Sequence, residues 1–437
     1  MPPPLRIGLC GLGTVGRGTL EVLRRNAGML AQRCGRELEV VQIGARSARP
    51  EADLGAIPFT HDIFAVAANP AIDVLVELIG GVEPARELVL TAIANGKQVV
   101  TADKALIAGC GDELFAAARA RGVTLGYEAA VAGGIPIIKA LREGLAANRI
   151  RWLAGIINGT SNFILSEMRD KGRDFADVLV EAQLLGYAEA DPTLDVEGVD
   201  AAHKLVILAA LAFGMPLRLD AVHIEGITRI LPEDVRYAGE LGYRIKHLGI
   251  ARRNDRGIEL RVHPALVPER SLIAQVHGAL NAVMVRGDAV GATLYCGPGA
   301  GAEPTASAVI ADILDIARRL NGGGRDAMPP LGVDTVAGSA LPVLDIGDAE
   351  SAHYLRVSAL DRPGVLSQLA QILSARGISI EAIIQKEPVP GQDHVPLIML
   401  TNRTREREVR AAIAAIEQLD SVAGPVVHLR KEALDEA

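Results

Sequence analysis

One stretch of the chain combines acidic and basic side chains of the kind that proton transfer needs. It ends in a helix predicted over Val199–Phe213, which carries Asp200 and Lys204 four residues apart and therefore on one face. Lys204 leads into the apolar run Leu205–Leu208, which should be buried. A lysine at the edge of such a run needs a partner or a lowered pKa, and either one favours proton-transfer chemistry. Taken alone, an aspartate–lysine pair at this spacing is usually a surface salt bridge.

A second lysine, Lys104, follows the strand predicted at Gln98–Thr101. Open α/β sheets bind their ligands at the carboxyl ends of such strands, so this position predicts a lysine in the ligand cleft. The alternative is a surface lysine at a helix start. Helix starts disfavour cations, which argues for the functional interpretation.

A glycine-rich turn lies near the N-terminus. Gly11, Gly13 and Gly16 are spaced as G-x-G-x-x-G, after a predicted strand and at the start of a predicted helix that includes Thr14 and Val15. Glycines permit a tight turn and close backbone approach, while the free N–H groups of a helix start attract pyrophosphate. The pattern predicts a dinucleotide site, with an ordinary glycine-rich turn as the alternative.

The end of the second predicted strand bears on the choice of nicotinamide cofactor. An acidic side chain there would accept hydrogen bonds from a ribose 2′-hydroxyl. The segment instead contains Arg46 and Arg49 and no acid. These arginines could accommodate a 2′-phosphate or form a solvated loop. The sequence therefore favours NADP over NAD.

Short β-like runs alternate with amphipathic helical stretches over residues 1–130, which indicates a parallel sheet covered on both faces. We expect a Rossmann-type, doubly wound α/β domain here, completed by residues 300–325. The predicted strands are Leu5–Leu9, Glu39–Ala45, Val74–Ile79, Gln98–Thr101 and Val123–Tyr127. The predicted helices are Gly16–Ala27, Pro84–Asn95 and Asp112–Arg121.

Over residues 131–299 the strands and helices no longer alternate, and predicted helices are followed by several predicted strands. This order predicts an α+β domain for substrate binding and dimerisation. A long helix at Thr305–Asn321 should then pack back on the first domain. The predicted helices of the middle domain are Ile135–Ala146, Ser161–Lys171, Phe175–Leu185 and Val199–Phe213. Its predicted strands are Val222–Ile230, Ile245–Arg252, Ile258–Ala265, Ala282–Gly287 and Ala289–Tyr295.

A stretch rich in glycine, proline and alanine predicts a linker at residues 326–350. Beyond it, residues 351–432 show the order strand, helix, strand, strand, helix, strand. This order predicts a ferredoxin-like βαββαβ domain. Its elements are Tyr354–Leu360, Pro363–Arg376, Ser379–Glu387, Val395–Asn402, Glu406–Leu419 and Val426–Arg430.

Composition limits the classes of partner. The net charge is −8 and the 45 lysines and arginines are scattered, so we expect no nucleic-acid partner. No apolar stretch reaches membrane-spanning length and no signal-peptide pattern is present, so we expect no membrane association. The four cysteines form no Cys-x-x-Cys pair. A reducing, cytoplasmic location is the expectation.

Seven segments together resemble the homoserine dehydrogenase family. In chain order they are GLGTVG, VELIGG, TADKALIA, EAAVAGGIPII, NGTSNFIL, GYAEADPTLDVEGVDAAHK and GPGAGAEPTASAV, spanning essentially residues 5–325. The resemblance implies NAD(P)-dependent interconversion of L-homoserine and L-aspartate 4-semialdehyde in threonine, methionine and isoleucine biosynthesis. One departure is Asp103, where the family commonly has asparagine. Its charge could alter the pKa or the cofactor contact of Lys104.

The resemblance also implies roles for individual residues. Lys204 would protonate the aldehyde oxygen as hydride arrives, and Lys104 would position cofactor or substrate beside it. Glu189 would hold the substrate ammonium group, with Asp195 and Asp200 shaping the site. Further residues implied around substrate and cofactor are Asn158, Gly159, Thr160 and Gly301, although the turn at 158–160 could be a plain helix start.

Four positions match those through which the family binds a monovalent cation such as Na⁺ or K⁺, mostly by backbone carbonyls. They are Glu128, Val131, Gly133 and Ile135. Carbonyl sites leave little trace in a sequence, so an ordinary loop remains the alternative. The nine histidines show no metal-ligand spacing, and we propose no divalent-metal mechanism.

The C-terminal segment resembles the ACT domain, a module that binds small effectors such as amino acids, usually across a dimer interface. The resemblance implies an effector site at Asp361, Gly364, Val365 and Leu366, with threonine, the pathway product, as the expected effector. A dimerisation domain without a ligand is the alternative. Exposed sheet edges predict at least a homodimer, or a homotetramer.

Two other functions fit parts of the pattern. A different Rossmann-type dehydrogenase, acting on aspartate semialdehyde by acylation, needs a nucleophilic cysteine, and no cysteine lies in a convincing active-site motif. A non-catalytic sensor of nucleotide and amino acid could combine the same domains. The presence of Lys104, Glu189, Asp200 and Lys204 argues against it.

Overall fold

A computed structural model describes residues 2–48, 54–323, 328–333, 341–386 and 393–434. The chain separates into two compact units. The first comprises Met1–Gly159, Asp200–Val222 and Ala279–Ala340, and the second comprises Thr160–Val199, His223–Gly278 and Leu341–Ala437. None of the helices in the described part of the chain has the length and apolar character needed to cross a membrane.

The elements are numbered in chain order. Up to residue 156 they are β1 (Leu5–Cys10), α1 (Thr14–Arg25), α2 (Ala27–Cys34), β2 (Leu38–Gly44), β3 (Phe59–Thr60), α3 (Ile63–Ala68), β4 (Val74–Glu77), α4 (Ala85–Ala94), β5 (Gln98–Thr101), α5 (Lys104–Arg121), β6 (Leu125–Gly126), α6 (Ile137–Lys139) and β7 (Ile150–Ile156). From there to residue 321 they are α7 (Gly159–Lys171), α8 (Phe175–Leu184), α9 (Thr193–Val196), α10 (Val199–Phe213), β8 (His223–Ile224), α11 (Pro232–Glu240), β9 (Tyr243–Arg253), β10 (Ile258–Pro268), β11 (Leu280–Gly287), β12 (Gly291–Pro298) and α12 (Ala302–Asn321). The last are β13 (Glu350–Leu360), α13 (Val365–Ala375), β14 (Ile380–Gln385), β15 (His394–Thr401), β16 (Thr404–Arg405), α14 (Glu406–Ile416) and β17 (Val427–Lys431).

The first unit contains a six-stranded sheet in the order β3-β2-β1-β4-β5-β6, and all neighbouring strands run parallel. Every residue of β4 and β5 is buried, as a sheet covered on both faces requires. The strand order reverses beside β1, which is where such sheets bind ligands. The predicted Rossmann-type fold is confirmed, and each of its five predicted strands is present.

The long helix α12 returns the chain to this sheet. Its apolar face belongs to the same core as β1 and α1. Gly18 of α1 permits the close approach, because an added Cβ would lie 2.7 Å from the carbonyl oxygen of Ala302. The expected packing of this helix on the first domain is confirmed, with its start at Ala302 rather than at Thr305.

The first unit also contains three antiparallel strands, in the order β12-β11-β7. Strand β7 was not predicted from the sequence. All but one of its residues are buried, so it lacks the alternation that marks a half-exposed strand.

In the second unit, β9 and β10 form a long antiparallel pair. The C-terminal strands lie in the order β17-β13-β15-β14, with α13 and α14 completing the predicted βαββαβ arrangement, which is confirmed. β17 also pairs in parallel with β10, with Ala265 opposite Arg430. The C-terminal domain therefore shares a sheet with the strands that precede the predicted linker.

Several predicted elements differ in extent from the observed ones, and the largest differences concern three of them. The strand predicted at Val222–Ile230 is reduced to His223–Ile224, and the chain then packs so closely that a Cβ on Gly226 would lie 2.5 Å from the Val196 carbonyl oxygen. The helix predicted at Ile135–Ala146 is a short α6 followed by a π-helical turn. The helix predicted from Asp112 begins at Lys104.

Candidate active site

The glycine-rich turn joins β1 to α1. Gly11 has a φ of +107°, and a Cβ there would lie 2.4 Å from the Leu78 carbonyl oxygen. A Cβ on Gly16 would lie 2.1 Å from the Gly11 carbonyl oxygen, so both positions require glycine. Nothing lies within 4 Å of the Cβ position of Gly13, which immediately precedes α1. This open backbone at a helix N-terminus fits a pyrophosphate group.

Other predicted cofactor residues lie near the ends of elements in the first unit. Thr14 and Val15 begin α1, whose first turn contains no acidic residue. Arg46 is exposed beyond the end of β2, whereas Arg49 lies outside the described residues. Gly301, with a φ of +121°, immediately precedes α12.

Two lysines converge on one carboxylate in the first unit. Lys204 Nζ lies 2.6 Å from Asp200 Oδ2, and Lys104 Nζ lies 2.9 Å from Asp200 Oδ1. Asn158 Nδ2 donates to Asp200 Oδ2 at 2.9 Å. Lys204 also donates to the Ile157 carbonyl oxygen at 2.7 Å. The sequence predicted the Asp200–Lys204 pair but not the contact with Lys104.

The lysine–aspartate group is largely removed from solvent. The side chain of Asp200 is 7% exposed and that of Lys204 is 11% exposed, whereas Lys104 is 41% exposed. Burial alone would raise the pKa of Asp200, but the two ammonium groups outweigh it and hold this pKa well below its usual range. Asp200 is therefore ionised at neutral pH, and the surface salt-bridge alternative is wrong.

Asp103 caps the helix that carries Lys104. Its Oδ1 accepts hydrogen bonds from the N–H groups of Ala105 and Leu106 at 2.9 and 3.1 Å. Burial raises the pKa of Asp103, although these two bonds oppose the shift. Asparagine can cap a helix in the same way, so the departure at this position preserves the local geometry.

Glu77, at the end of β4, was not among the functional residues predicted from the sequence. Glu77 accepts hydrogen bonds from Thr101 Oγ1 at 2.5 Å and from the Ile79 N–H at 2.7 Å. Thr101 Oγ1 in turn accepts the Asp103 N–H at 3.0 Å. Burial raises the pKa of Glu77 to about 7. This network connects the turn that packs on Gly11 with the turn before Lys104. The feature of the sequence that could have indicated it is a polar residue at the end of each of two neighbouring strands, β4 and β5.

Two predicted substrate residues meet in the second unit, at the first turn of α7. Thr160 Oγ1 donates to the Tyr187 carbonyl oxygen at 2.5 Å and lies 3.4 Å from Asp195 Oδ2. Glu189 is exposed on the loop between Tyr187 and Asp195. Gly159, in the first unit, has no room for a side chain, because a Cβ would lie 2.8 Å from the Ala279 carbonyl oxygen.

The loop predicted to bind a monovalent cation has an irregular backbone. Gly133 has a φ of +49°, and a Cβ there would lie 2.6 Å from the Gly299 carbonyl oxygen. The Glu128 carboxylate accepts hydrogen bonds from the N–H groups of Ile138 and Lys139, both at 2.9 Å. This carboxylate therefore shapes the loop that contains the predicted Val131, Gly133 and Ile135.

The predicted effector residues line a cleft of about 300 Å³ in the second unit, together with residues of β14 and β15. Gln385 Nε2 donates to Asp361 Oδ1 at 3.0 Å across this cleft. The helix begins at Val365 rather than at the predicted Pro363, because Gly364 adopts a left-handed φ of +95°. The N–H groups of the first helical turn are suited to a carboxylate.

One group of side chains in the described residues has metal-ligand geometry that spacing did not predict. Ligand atoms of His353, Glu406 and His428 lie within 4.8 Å of one another. The two rings share a hydrogen bond of 2.8 Å between His353 Nδ1 and His428 Nε2. Arg430 donates twice to the Glu406 carboxylate, at 2.9 and 2.5 Å. These hydrogen bonds account for the close approach of the three side chains without a metal ion.

The parallel sheet and the glycine-rich turn define a dinucleotide-binding protein. Family models match three parts of the chain: the homoserine dehydrogenase NAD-binding domain over residues 11–128, homoserine dehydrogenase over 136–314, and the ACT domain over 353–421. The chain belongs to the homoserine dehydrogenase family, and its activity is that of a homoserine dehydrogenase.

Two of the similar proteins match this chain over almost its whole length, and a third matches about three quarters of it. A homoserine dehydrogenase of Pseudomonas aeruginosa is 61% identical, covering 99% of this chain and 100% of the relative. A crystal structure of a homoserine dehydrogenase from Thiobacillus denitrificans is 59% identical with a TM-score of 0.94, covering 99% of both chains. A hyperthermophilic archaeal homoserine dehydrogenase in complex with NADPH is 26% identical with a TM-score of 0.61, covering 72% of this chain and 97% of that one.

Proposed function

We propose that Lys204 donates the proton to the aldehyde oxygen of aspartate semialdehyde and takes it back during homoserine oxidation. The observation that carries this assignment is the buried Asp200 carboxylate held between Lys204 and Lys104. Asp200 and the Ile157 carbonyl each accept one bond from the Lys204 ammonium group, whose three donors leave one for the substrate oxygen. The bound nicotinamide cofactor supplies or accepts the hydride.

The other site residues bind and orient. Lys104, the more exposed lysine, positions cofactor or substrate beside Lys204. The exposed Glu189 carboxylate holds the substrate ammonium group, while Thr160 and Asp195 shape its loop. Asn158 holds Asp200 in place through its side-chain amide, and Gly159 allows the close approach of the chain to Ala279 beside it. Assays of homoserine-dependent reduction of NAD and NADP, on the wild type and on variants of these residues, test the proposal, and wild-type kinetics in the variants would contradict it.

NADP is the preferred cofactor in this proposal. Gly13 offers the open backbone for the pyrophosphate, and the sequence of residues 45–49 contains no acid to accept bonds from a 2′-hydroxyl. Arg46 is exposed at that strand end and can reach a 2′-phosphate. The archaeal relative in complex with NADPH supports this choice.

Arg46→Asp should shift the preference toward NAD. The new carboxylate repels a 2′-phosphate and accepts hydrogen bonds from a 2′-hydroxyl, so the kcat/KM ratio of NADP to NAD should fall by about tenfold or more. Steady-state kinetics with each cofactor measures this ratio. Arg24→Asp makes the same change of charge on α1 and is the control. An unchanged ratio in Arg46→Asp would reject the role of this arginine.

A monovalent cation, Na⁺ or K⁺, is proposed at the loop of Glu128, Val131, Gly133 and Ile135. Its support is the irregular backbone at Gly133, where φ is +49° and the chain packs closely on Gly299. Replacing K⁺ or Na⁺ with a bulky organic cation at constant ionic strength should lower activity severalfold. Equal activity in both salts would contradict the site.

Threonine is the proposed effector of the ACT domain, bound at the cleft of Asp361, Gly364, Val365 and Leu366. Its support is the left-handed Gly364, which ends the loop where the N–H groups of α13 begin. A carboxylate there is favoured by the helix N-terminus. Substitution of Gly364 would strain the backbone, so the cleft is better tested at Leu366.

Leu366→Asp should weaken threonine inhibition by about tenfold or more, because its charge repels the effector carboxylate. Leu366 is 39% exposed and lies in the first turn of α13, where an acid is compatible with the helix. Inhibition titrations with threonine measure the effect, and Leu366→Asn is the uncharged control. If threonine inhibits both variants like the wild type, the effector site lies elsewhere.

A homodimer or homotetramer is proposed, since β12 and β14 end their sheets with unpaired edges in the described part of the chain. Sedimentation should report at least twice the chain mass of 45.9 kDa. We also propose a cytoplasmic location and the domain boundaries 1–130 with 300–325, 131–299, 326–350 and 351–432. These assignments follow from the sequence pattern and the family.

A further inference from the structure

A buried lysine outside the proposed catalytic group lies in the second unit. Lys246, on β9, is 2% exposed, and its Nζ donates to the Val276 carbonyl oxygen at 2.5 Å and to Asn162 Oδ1 at 3.2 Å. Burial, with Arg169 and Arg244 nearby, lowers the pKa of Lys246 to about 7. Burying an ammonium group is costly, so its partners must fix it well.

Asn162 connects this lysine to helix α7. Its Nδ2 donates to the carbonyl oxygens of Val276 and Gly278 at 3.2 and 2.9 Å. Ser166 Oγ completes the connection, because it donates to the Asn162 carbonyl oxygen at 2.7 Å and accepts the Gly278 N–H at 3.2 Å. The beginning of α7 is thereby held on residues 276–278.

The residues just before Asn162 hold the loop that contains Glu189. Thr160 Oγ1 donates to the Tyr187 carbonyl oxygen at 2.5 Å, and Ser161 Oγ donates to the Asp195 carbonyl oxygen at 3.1 Å. Thr160, Ser161 and Asn162 are consecutive residues of one helical turn, so a shift of Asn162 displaces both hydroxyl groups. A loop held in this way loses its geometry when the turn moves.

We propose that Lys246 is a positioning residue for homoserine, acting through Asn162 on the first turn of α7 and hence on the Tyr187–Asp195 loop. The proposal rests on the substrate role of that loop proposed above. Lys246 acts through Asn162 and Val276 rather than on the reacting atoms or the cofactor. Its loss should therefore weaken substrate binding far more than it slows turnover.

Lys246→Met tests this, since methionine keeps much of the side-chain length and removes the donors. The KM for homoserine should rise about tenfold or more, with kcat and the KM for cofactor changed by less than about threefold. Lys97→Met is the matched control. Lys97 is 3% exposed and donates to the Asn69 and Ile72 carbonyl oxygens at 2.5 and 3.0 Å in the first unit. It should leave the homoserine KM unchanged.

Asn162→Ala provides a second route if Lys246→Met fails to fold. It should raise the homoserine KM similarly, and the double variant should not exceed the larger single effect, because both act through one network. Asp195→Asn reports on the loop itself. A raised KM in Asp195→Asn with normal values in Lys246→Met and Asn162→Ala would overturn the positioning role alone. Normal values in all three would overturn the substrate role of the loop, and an equal rise in Lys97→Met would overturn the specificity of Lys246.

Discussion

Lys204→Met should lower kcat for homoserine oxidation by about 10²-fold or more, the scale of general acid–base catalysis. Methionine has nearly the volume of lysine, so the buried position stays filled while the proton donor and acceptor is lost. Lys204 is not proposed to contact the cofactor, so the dissociation constant of the cofactor should stay near the wild-type value. Steady-state kinetics and cofactor titration measure the two quantities.

Lys104→Met is the matched comparison, because both lysines contact Asp200. Lys104 is 41% exposed and is proposed to orient, so its replacement should raise KM more than it lowers kcat. Turnover like the wild type in Lys204→Met would reject the proton-transfer role. A large loss of kcat in Lys104→Met alone would assign that role to Lys104 instead.

Asp200→Asn should lower kcat/KM by about 10²-fold or more. The amide keeps the size of the side chain but removes the negative charge between two ammonium groups, which then repel each other in a buried site. Lys204 and Lys104 outweigh the effect of burial and hold the pKa of Asp200 below its ordinary value. The Asp200 charge therefore stabilises the fold at any pH above the ordinary pKa of an aspartate. This stabilisation is lost as the pH falls through the lowered pKa. Asp200→Asn should therefore also lower the urea midpoint at pH 7.

Asp191→Asn supplies the control for this substitution. Asp191 lies in the same acidic segment but is exposed, and its Oδ1 accepts a hydrogen bond from Thr193 Oγ1 at 2.6 Å. The change should leave kcat/KM close to that of the wild type. Equal losses in Asp191→Asn and Asp200→Asn would show a general sensitivity of the segment and contradict the special role of Asp200.

Contacts between distant segments make truncation of the C-terminal domain a poor test of the effector site. Truncation before residue 351 would remove the C-terminal domain together with contacts that it makes to earlier strands and helices. Arg430 of β17 donates two bonds of 2.7 Å to Glu225, and Arg356 of β13 donates a bond of 2.6 Å to Asp234. Truncation would leave Glu225 and Asp234 without these partners and expose the edge of β10. Point substitutions in the effector cleft are the better test.

Local signals predicted most of the elements. Buried strands such as Gln98–Thr101 and the glycine-rich turn at Gly11 are specified by residues within a few positions of one another. The Asp200–Lys204 pair is equally local, because helix geometry alone brings residues four apart together. These features were readable because their physical cause acts over one turn or one strand. The family resemblance then supplied the reaction.

Only the tertiary structure brought distant residues together. Lys104 meets Asp200, Glu77 meets Thr101 and Lys246 meets Asn162, and none of these contacts has a period or spacing in the sequence. The sequence determined which side chains were available and on which element each one stands. The packing of strands and helices decided which of them share one buried space, because burial and hydrogen bonding depend on the whole fold rather than on neighbours along the chain.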